Sequence, residues 1–506
     1  MSDGDLAYDV VVIGAGNAGL AAAVTLQRAG ARTLLVERHN VPGGCATSFR
    51  RGRFEFEVAL HQLSGIGAEG QAFSLRALLA SLDVADRLDF VEERDLYRAV
   101  VPGVYDVTLP ASWSGATDAL EAAFPGNRAR IDRFFALVRD ITFWQVAAMD
   151  GLPAEQVDPL LFRQGLRPFK DVLDAHFTDE RLKSVLGAYW GYLGLPPSRL
   201  PFQDLALVLF AYLEFKPWHI RGGSQMLSRA LLDSFQRAGG EVRLNTAVTA
   251  IRTGGGRVAG VRLDSGERVD AAEVVSNVSL PATYSMLEGL PLPAAAARDL
   301  GTRRPGVSGF VLHMGLDATP AELGFTASTN FVNLDMDDDR TFAAMRRGFP
   351  EPVRGIAASC YDVEPIGFAP SGASHVSLMT LQYADAWQAL APADYARAKF
   401  AYAEGLLDLL ETITPGARDA IEEVDVATPL TMERYLGHPG GAFYGYEQDA
   451  AEGWPFRGIQ RESHVPGLHL AGAWVGMCGF QPTLQSGASV ARRLLDSKPE
   501  NEGAHV

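Results

Sequence analysis

Three glycines near the start of the chain have the spacing of a phosphate-binding turn. Gly14, Gly16 and Gly19 follow a short strand rich in β-branched residues and open an alanine- and leucine-rich helix. Gly14 permits the tight turn, Gly16 lets the backbone approach a pyrophosphate, and Gly19 allows the helix to pack closely on the strand. The helix N-terminus offers N–H groups to phosphates, so Asn17 and Ala18 are predicted to contact them too.

Glu37 completes the motif, because it closes the second strand of the same βαβ unit. A carboxylate there accepts hydrogen bonds from the ribose hydroxyls of a dinucleotide. FAD and NAD share this pattern, and the loop that follows separates them. Gly43 and Gly44, followed by small and hydroxylated residues, fit a loop that passes close to a diphosphate or a flavin. The combination favours FAD.

The sequence contains no second strand–GxGxxG–helix unit. Gly254, Gly255 and Gly256 fall in a predicted hairpin and precede a strand, which is the wrong context for nucleotide binding. The chain is therefore predicted to lack a separate NAD(P)H-binding domain. Its electrons should come from or go to an external donor or acceptor, such as another protein, a quinone or oxygen.

The remaining reactive side chains predict no metal site. Cys45, Cys360 and Cys478 form no CxxC pair, which by spacing excludes a zinc site and a disulfide framework and suits a reducing compartment. Cys478, beside a glycine, is expected to be a small packing residue near the flavin. The acidic run 335–339 lacks the glycine and distal glutamate of a calcium loop, so it predicts a solvated turn.

These motifs require a parallel sheet to hold them, and the pattern of the chain supplies one. Strand–helix alternation at both ends and near the middle brackets a long stretch with helical periodicity. The predicted fold class is α/β, with a Rossmann-like, GR2-type FAD-binding domain, an inserted α+β substrate domain and a helical subdomain. The corresponding segments are 1–70, 215–285 and 455–506 for the FAD-binding domain, 71–214 for the helical substrate or lid region, and 286–454 for the substrate-binding domain.

The helical region and its margin are rich in aromatic residues. Helical aromatics usually belong to a core, but this density just before a flavin motif also suits a tunnel for a long apolar molecule. Both alternatives remain open at this point. The residues are Tyr189, Trp190, Tyr192, Phe210, Tyr212, Phe215 and Trp218.

Length and charge exclude several classes of protein. A chain of 506 residues is long enough for two interlocked domains, and its net charge of −16 argues against nucleic acid as a partner. The acidic N-terminus shows no secretory signal, which predicts a cytoplasmic location. The uncharged run 463–491 contains five glycines and two prolines, so it predicts turns rather than a membrane span. Membrane contact is expected to be peripheral at most.

Several segments resemble the flavin amine oxidase and phytoene desaturase superfamily. The glycine pair before Cys45 is similar to its second signature, with cysteine here in place of the usual arginine. Within the superfamily, the branch of phytoene desaturases, carotenoid isomerases and retinol saturases is the most similar, and the retinol saturases most of all. The resemblance is carried by segments 42–48, 54–61, 221–224, 245–248, 274–277, 428–431, 440–445, 467–472, 478–480 and 484–488.

The resemblance implies an FAD cofactor contacted by all three parts of the predicted domain. It implies that the backbone of Val248 meets the adenine, and that the C-terminal strand and turn meet the flavin. Where the superfamily often has an acid after the C-terminal glycine, this chain has Ala473 and Trp474. The predicted cofactor residues are Gly14, Gly16, Asn17, Ala18, Gly19, Glu37, Arg38, Gly43, Gly44, Cys45, Ala46, Val248, Gly472, Ala473, Gln481 and Leu484.

The resemblance also implies a reaction at a C–C or C=C bond of a long apolar polyene or isoprenoid. Saturation of a double bond is favoured, with carotenoid isomerisation or desaturation next and amine oxidation third. His61 is implied to face the flavin as the catalytic residue, although a histidine in an apolar stretch is as often structural. From another class, a flavin-free prenyl-lipid carrier like the Rab escort proteins is the alternative, and the intact glycine–glutamate set speaks against it.

Overall fold

The β-branched run at the N-terminus forms the middle strand of a parallel sheet. A computed structural model describes residues 7–71, 74–450, 463–476 and 478–497. The parallel strands are, in spatial order, Leu468–Leu470, Arg268–Ser276, Tyr8–Ile13, Thr33–Val36 and Glu241–Arg243. The middle strands are apolar without alternation, because both faces of the sheet are covered.

Three helices cover one face of this sheet and share a core with it. They are Asn17–Arg28, Ser224–Arg237 and Phe480–Asp496. The first and the last of them touch backbone to backbone, since a Cβ built on Gly487 would lie 2.0 Å from the carbonyl oxygen of Ala18. This contact ties the C-terminal helix to the helix of the first glycine motif.

An antiparallel meander extends the sheet and packs on its other face. The long strand Arg268–Ser276 pairs antiparallel with Arg257–Leu263 at its start and parallel with Tyr8–Ile13 at its end. Arg257–Leu263 continues back to Val248–Gly254, whose other edge pairs with Leu287–Glu288. One strand therefore joins the dinucleotide-type sheet to the meander.

A second, mixed sheet is built mainly from the later part of the chain. Its strands are, in spatial order, Ile421–Ala427, Ser308–Leu316, Ser374–Gln382, Gly355–Cys360, Thr329–Asn333, Asp95–Val101 and Tyr105–Pro110. Neighbours are antiparallel except at one place, where Asp95–Val101 runs parallel to Thr329–Asn333. The structure thus confirms the predicted α/β class, with a parallel sheet and a second sheet domain.

Helices dominate residues 71–214, as the periodicity predicts. They are Leu75–Ser81, Trp113–Ala123, Arg128–Met149, Phe169–His176, Glu180–Gly187 and Phe202–Phe215. The structure adds strands to this segment, because the second sheet takes Asp95–Val101 and Tyr105–Pro110 from it and Phe90–Glu92 pairs with Trp218–Ile220. The boundaries of the three predicted segments stay a prediction.

The rest of the chain supplies shorter elements around the two sheets. A ribbon pairs Ser48–Arg51 with Phe54–Glu57. The remaining helices are Leu280–Ser285, Ala294–Thr302, Asp338–Arg347, Asp385–Gln388, Pro392–Glu411 and Pro429–Leu436.

The acidic run 335–339 is the solvated turn that its composition predicts only in its first part, where residues 335–337 bend before a helix begins at Asp338. Asp337 caps a helix by accepting a hydrogen bond from the backbone N–H of Arg340 at 2.9 Å. Asp338 accepts a bond from the indole N–H of Trp190, also at 2.9 Å. The run therefore begins a helix that docks on the helical region.

No helix within the described ranges combines the length and the hydropathy needed to cross a membrane. Within the same residues, no group of three histidine, cysteine or acidic side chains is arranged to hold a metal ion.

Candidate active site

The first glycine motif forms a cradle at the carboxyl ends of the parallel strands. Gly14 adopts φ +90°, a conformation that favours glycine, and its N–H bonds the carbonyl of Val36 at 2.8 Å. A Cβ on Gly19 would lie only 1.9 Å from the carbonyl oxygen of Gly14, so the helix packs as closely as the motif predicts. The helix begins at Asn17 without a side-chain cap or an acid in its first turn. Its N–H groups are therefore suited to a phosphate.

Glu37 is buried and joins the cradle to the following loop. One carboxylate oxygen accepts the N–H of Ala15 at 2.7 Å, and the other accepts the N–H of His39 at 2.8 Å. A carboxylate has about four acceptor positions, so both oxygens keep room for ribose hydroxyls. Glu37 lines the large cavity described below.

The second glycine loop docks on the first. The N–H of Gly43 donates to the carbonyl of Ala15 at 2.8 Å, and a Cβ on Gly44 would lie 3.6 Å from the Cα of Gly16. Both loops therefore face the same space. Burial raises the pKa of the Cys45 thiol to about 11, so this residue is a neutral thiol beside the cradle.

Asn277, at the end of the strand beside the first motif, touches several of these glycines. Its amide nitrogen lies 2.9 Å from where a Cβ on Gly16 would be and 3.1 Å from the equivalent point on Gly19. Its amide oxygen lies 2.6 Å from the equivalent point on Gly472, in the C-terminal turn. In the sequence, Asn277 stands out only as the last residue of segment 274–277. Its position at the end of a predicted strand is the signal that could have assigned it to the site.

The C-terminal turn closes the cradle from the other side. The N–H of Gly472 donates to the hydroxyl of Ser486 at 3.1 Å, which fixes the turn to the last helix. Ala473 and Trp474, which stand where an acid is common, both line the cavity. The indole N–H of Trp474 is buried and has no hydrogen-bond partner among the described residues.

The cradle opens into a single cavity of ≈ 2220 Å³. Small-molecule sites usually occupy roughly 300–1,000 Å³, so this volume can hold a dinucleotide and a second large molecule. Away from the cradle the walls carry aromatic side chains of the helical region, and of the predicted tunnel set these are Tyr192, Phe210, Tyr212 and Phe215. The other three aromatic residues of the set do not line the cavity and pack in the core: Tyr189, Trp190 and Trp218. The tunnel interpretation therefore holds for four of the residues and the core interpretation for three.

A neutral polar network stiffens one wall of this cavity. The amide of Gln62 donates to Glu93 at 2.9 Å and accepts from the hydroxyl of Tyr189 at 3.0 Å. Tyr212 donates to the backbone carbonyl of Gln62 at 3.1 Å. Burial raises the pKa of Glu93 and of the tyrosines well above their usual range. Burial therefore favours the uncharged forms of these side chains, which suits an apolar ligand.

His61 lies on the same wall. Its Nδ1 lies 2.9 Å from the hydroxyl oxygen of Ser359 and 3.5 Å from that of Tyr361. Burial lowers its pKa to about 4, so the imidazole is neutral at physiological pH. A neutral imidazole has one N–H donor and one nitrogen acceptor, so it can relay a proton by taking one up at one ring nitrogen and releasing one from the other. Its catalytic role stays a prediction.

The structure brings most of the predicted cofactor residues to the cavity wall, but not all of them. Those that line it are Gly14, Gly16, Asn17, Ala18, Glu37, Arg38, Gly43, Gly44, Cys45, Val248, Ala473 and Gln481. Three more do not line the cavity but lie behind its wall, next to the glycine turns: Gly19, Ala46 and Gly472. Leu484 belongs to the last helix, and its side chain is fully buried in the core on which that helix packs. Arg38 donates to the carbonyl of Tyr435 at 2.6 Å, which closes the cradle with the last turn of the helix Pro429–Leu436.

The fold and this site define the class of protein: a two-domain flavoprotein oxidoreductase. The family described as flavin containing amine oxidoreductase matches residues 17–495, and the chain belongs to it. The all-trans-retinol 13,14-reductase of Homo sapiens is 28% identical over 98% of this chain and 88% of its own length. The all-trans-zeta-carotene desaturase of Myxococcus xanthus is 26% identical over 98% of this chain and 94% of its own.

A solved structure agrees on the fold. An oxidoreductase from Methanosarcina mazei superposes with a TM-score of 0.65 at 19% identity, covering 96% of this chain and 99% of that one. Together the sequence relatives place the chain in the branch that contains retinol saturases and carotenoid-modifying enzymes. This confirms the resemblance inferred from the motifs.

Proposed function

We propose that this protein is an FAD-dependent oxidoreductase that reduces a carbon–carbon double bond of a long apolar polyene or isoprenoid. One observation carries the proposal. The glycine cradle belongs to the same cavity as the part walled by Tyr192, Phe210, Tyr212 and Phe215, which we call the arm. A molecule in the arm would therefore meet the end of a dinucleotide in the cradle. The similarity to a retinol reductase of comparable length supports the choice of reaction.

The residues of the cradle fit FAD. Glu37 would hold the ribose, the N-terminus of Asn17–Arg28 the diphosphate and Val248 the adenine, while Ala473 and Gln481 would contact the flavin. Cys45 replaces a common arginine, so the phosphate charge would rest on backbone N–H groups. When bound, the flavin supplies hydride transfer to one carbon of the double bond.

The chain's own contribution to the reaction is placement, exclusion of water and one proton. The tyrosine and glutamine wall keeps the arm rigid and uncharged, which suits a hydrocarbon. Reduction of a double bond also requires a proton at the second carbon. That proton comes from solvent. His61 is the proposed catalytic residue that relays it, because it lines the cavity and its Nδ1 lies 2.9 Å from the Ser359 hydroxyl, so one ring nitrogen can take up a proton as the other gives one up.

Desaturation or isomerisation of a carotenoid is the second candidate. The Myxococcus xanthus desaturase is almost as similar as the retinol reductase, and the same cavity would serve either direction of hydride transfer. Within the described residues only one dinucleotide-type sheet occurs, so reducing equivalents would be exchanged with an external donor or acceptor.

The outer end of the cavity supports a peripheral contact with a lipid surface as the source of substrate. Phe143, Val146 and Met149 line this end and are 64%, 38% and 46% exposed. An apolar substrate would pass these side chains without crossing bulk water. The acidic net charge favours a zwitterionic surface over an anionic one. We propose a cytoplasmic location, because the three free cysteines suit a reducing compartment.

Absorbance and mass spectrometry of the purified protein test the proposal. We expect flavin bands, release of FAD on heating, and co-purifying lipids that are long and apolar. A colourless protein that cannot be reconstituted with FAD would instead favour the lipid-carrier alternative.

A further inference from the structure

One face of the second sheet carries a row of polar side chains that crosses four neighbouring strands. Directly opposed residues on adjacent antiparallel strands point to the same face, with Cβ atoms about 4.5–5.5 Å apart. The row begins beside His61, on the cavity wall, and ends at an edge strand of the sheet. Its members, each opposed to the next, are Ser359, Ser377, His313 and Asp425.

The packing of the sheet gives no reason for this row. Three of its members, Ser359, Ser377 and His313, are at most 2% exposed, where a polar group is costly unless it is hydrogen-bonded. The opposite face of the same strands is apolar and belongs to the core of this domain. Its residues there include Leu312, Met314, Ala358, Val376, Leu378 and Val426.

Hydrogen-bond contacts lie at both ends of the buried part of the row. The hydroxyl oxygen of Ser359 lies 2.9 Å from the Nδ1 of His61. Two strands further along, the hydroxyl oxygen of Ser377 lies 2.9 Å from the Nδ1 of His313. Each imidazole in these contacts is therefore within proton-transfer distance of a serine hydroxyl.

Tyr361 lies beside the step between the two serines. Its hydroxyl donates to the carbonyl of Leu60 at 3.0 Å and lies 3.5 Å from the Nδ1 of His61. Burial raises the pKa of Tyr361 well above its usual range, and hydrogen bonding with Ser377 and Ser359 opposes that rise. The phenol thus supplies a third hydroxyl within reach of both serines.

Asp425 connects the row to solvent. Its side chain is 30% exposed and lies 2.9 Å from the guanidinium of Arg51. Its opposed neighbour His313 is buried, and one water molecule or a rotation of the carboxylate spans the distance between such a pair. The row therefore runs without an apolar interruption from the protein surface to His61.

The buried members share one chemical property, because each can take up a proton and release another. A hydroxyl both donates and accepts, and a neutral imidazole has one nitrogen for each task. Burial lowers the pKa of His313 to about 3, so this side chain is neutral at physiological pH. It can pass a proton on without holding a charge inside the protein.

We propose that this row, together with Tyr361, is a proton path that carries protons from solvent at Asp425 to His61. The inference rests on the proposed function, in which the second carbon of the double bond takes up a proton. An N–H bond of His61 breaks as the new C–H bond forms, and its Nδ1 takes a proton from Ser359. Each member is then refilled by the next, and the last by solvent. The electron pair reaches the other carbon as the hydride, so no residue of the path is oxidised or reduced.

Rates of flavin reoxidation test the path in the flavin-loaded protein after reduction with dithionite. The probe is the polyene that reoxidises the wild-type flavin, all-trans-retinol or a carotenoid, supplied anaerobically at a series of concentrations. Each protein then gives a limiting rate and a half-saturating concentration. The limiting rate reports proton delivery, whereas the half-saturating concentration reports how well the polyene is held.

We expect the limiting rate to fall by about 10- to 100-fold in Ser377→Ala and in His313→Gln. Glutamine can still bond the Ser377 hydroxyl but cannot exchange one proton for another, so it separates transfer from structural support. The half-saturating concentration should stay within about 2-fold of the wild-type value. Ser377→Thr restores a hydroxyl and should restore the rate.

Two control variants lie on the same strands but outside the row. Ser374→Ala removes a buried hydroxyl from the opposite face of the strand that carries Ser377, and it should leave the limiting rate unchanged. Asp425→Asn removes the carboxyl at the surface end of the row, and its half-exposed position makes correct folding the expectation if the buried variants fail. It should lower the limiting rate by about 3-fold or more. Glu422→Gln, which removes another ion-paired carboxyl from that strand, should not.

Two results would overturn the path, and they differ in what they say about the function. Unchanged limiting rates in Ser377→Ala, His313→Gln and Asp425→Asn, or an equal loss in the controls, reject the path and leave the polyene function standing. Failure of every polyene to reoxidise the wild-type flavin rejects the proposed function together with the path.

Discussion

The carboxylate of Glu37 accepts the backbone N–H of Ala15 at 2.7 Å, across the base of the glycine cradle. The same side chain accepts the N–H of His39 at 2.8 Å. Glu37 thus links the turn that faces the phosphates to the loop that faces the ribose. Removal of the Glu37 side chain should disturb both the turn and the loop. We therefore expect the binding of the phosphates and of the ribose to weaken together.

We predict that Glu37→Ala weakens retention of FAD more than it lowers the melting temperature of the apoprotein. Two hydrogen bonds to ribose would be lost, each worth roughly 1.5–3 kcal/mol because the acceptor is charged. Glu37→Gln keeps one acceptor oxygen and should give an intermediate result. Flavin absorbance relative to protein after gel filtration measures this, and equal occupancy in all three proteins would refute the role of Glu37.

Gly487→Ala should destabilise the protein, although alanine is the better helix former by about 1 kcal/mol. The new Cβ would lie 2.0 Å from the carbonyl oxygen of Ala18, so the two helices must separate, at a cost of roughly 1–3 kcal/mol or more. We expect a lower melting temperature and a lower flavin content. Gly301→Ala is the control, because open space surrounds that helical glycine, and it should leave both unchanged or raise stability slightly. A Gly487→Ala protein as stable as this control would show that the contact is not tight.

The cradle could be predicted from the sequence because its signals are local. Strand, glycine turn, helix and Glu37 follow one another within one βαβ unit, and each has a fixed geometric task. The second sheet could not be predicted in the same way. Its strand Asp95–Val101 pairs with Thr329–Asn333, which lies more than two hundred residues away, and periodicity carries no information about such partners.

The residues that line the substrate side of the site could not be predicted from sequence patterns either. Gln62 and Asp204 belong to no recognisable motif, and only the packing of segments that are distant in the chain shows that they line a cavity. Leu484 illustrates the opposite difficulty. It lies in the helix predicted to touch the flavin, but helical periodicity turns its side chain into the core.

His61 should make the protein less stable in acid. The unfolded chain protonates this histidine near pH 6.5, whereas burial lowers its pKa to about 4 in the folded chain. Acidification across that window therefore favours unfolding, by at most about 3 kcal/mol for this residue. In His61→Gln, the loss of unfolding free energy between pH 7 and pH 4 should be smaller by that amount. Urea titrations at both pH values measure it, and identical losses in the two proteins would contradict a neutral, buried His61.

NADPH and NADH should reduce the bound flavin poorly. The described residues contain one dinucleotide-type parallel sheet, and the second sheet is largely antiparallel. Without a site that holds the nicotinamide close to the flavin, the reaction loses a positional advantage of several kcal/mol. Anaerobic stopped-flow mixing with NADPH, followed at the oxidised-flavin band, checks this. Fast, saturable bleaching would reveal a nicotinamide site that the fold does not suggest.

The most direct test of the proposed function is a single turnover with chemically reduced enzyme. Flavin-loaded protein is reduced with dithionite and mixed, under anaerobic conditions, with all-trans-retinol or with a carotenoid. In parallel, the oxidised protein is mixed with a panel of primary amines. We predict that a polyene reoxidises the flavin and that mass spectrometry finds one dihydro product per flavin. Reduction of the oxidised flavin by an amine, with no reoxidation by either polyene, would contradict the account and identify an amine oxidase.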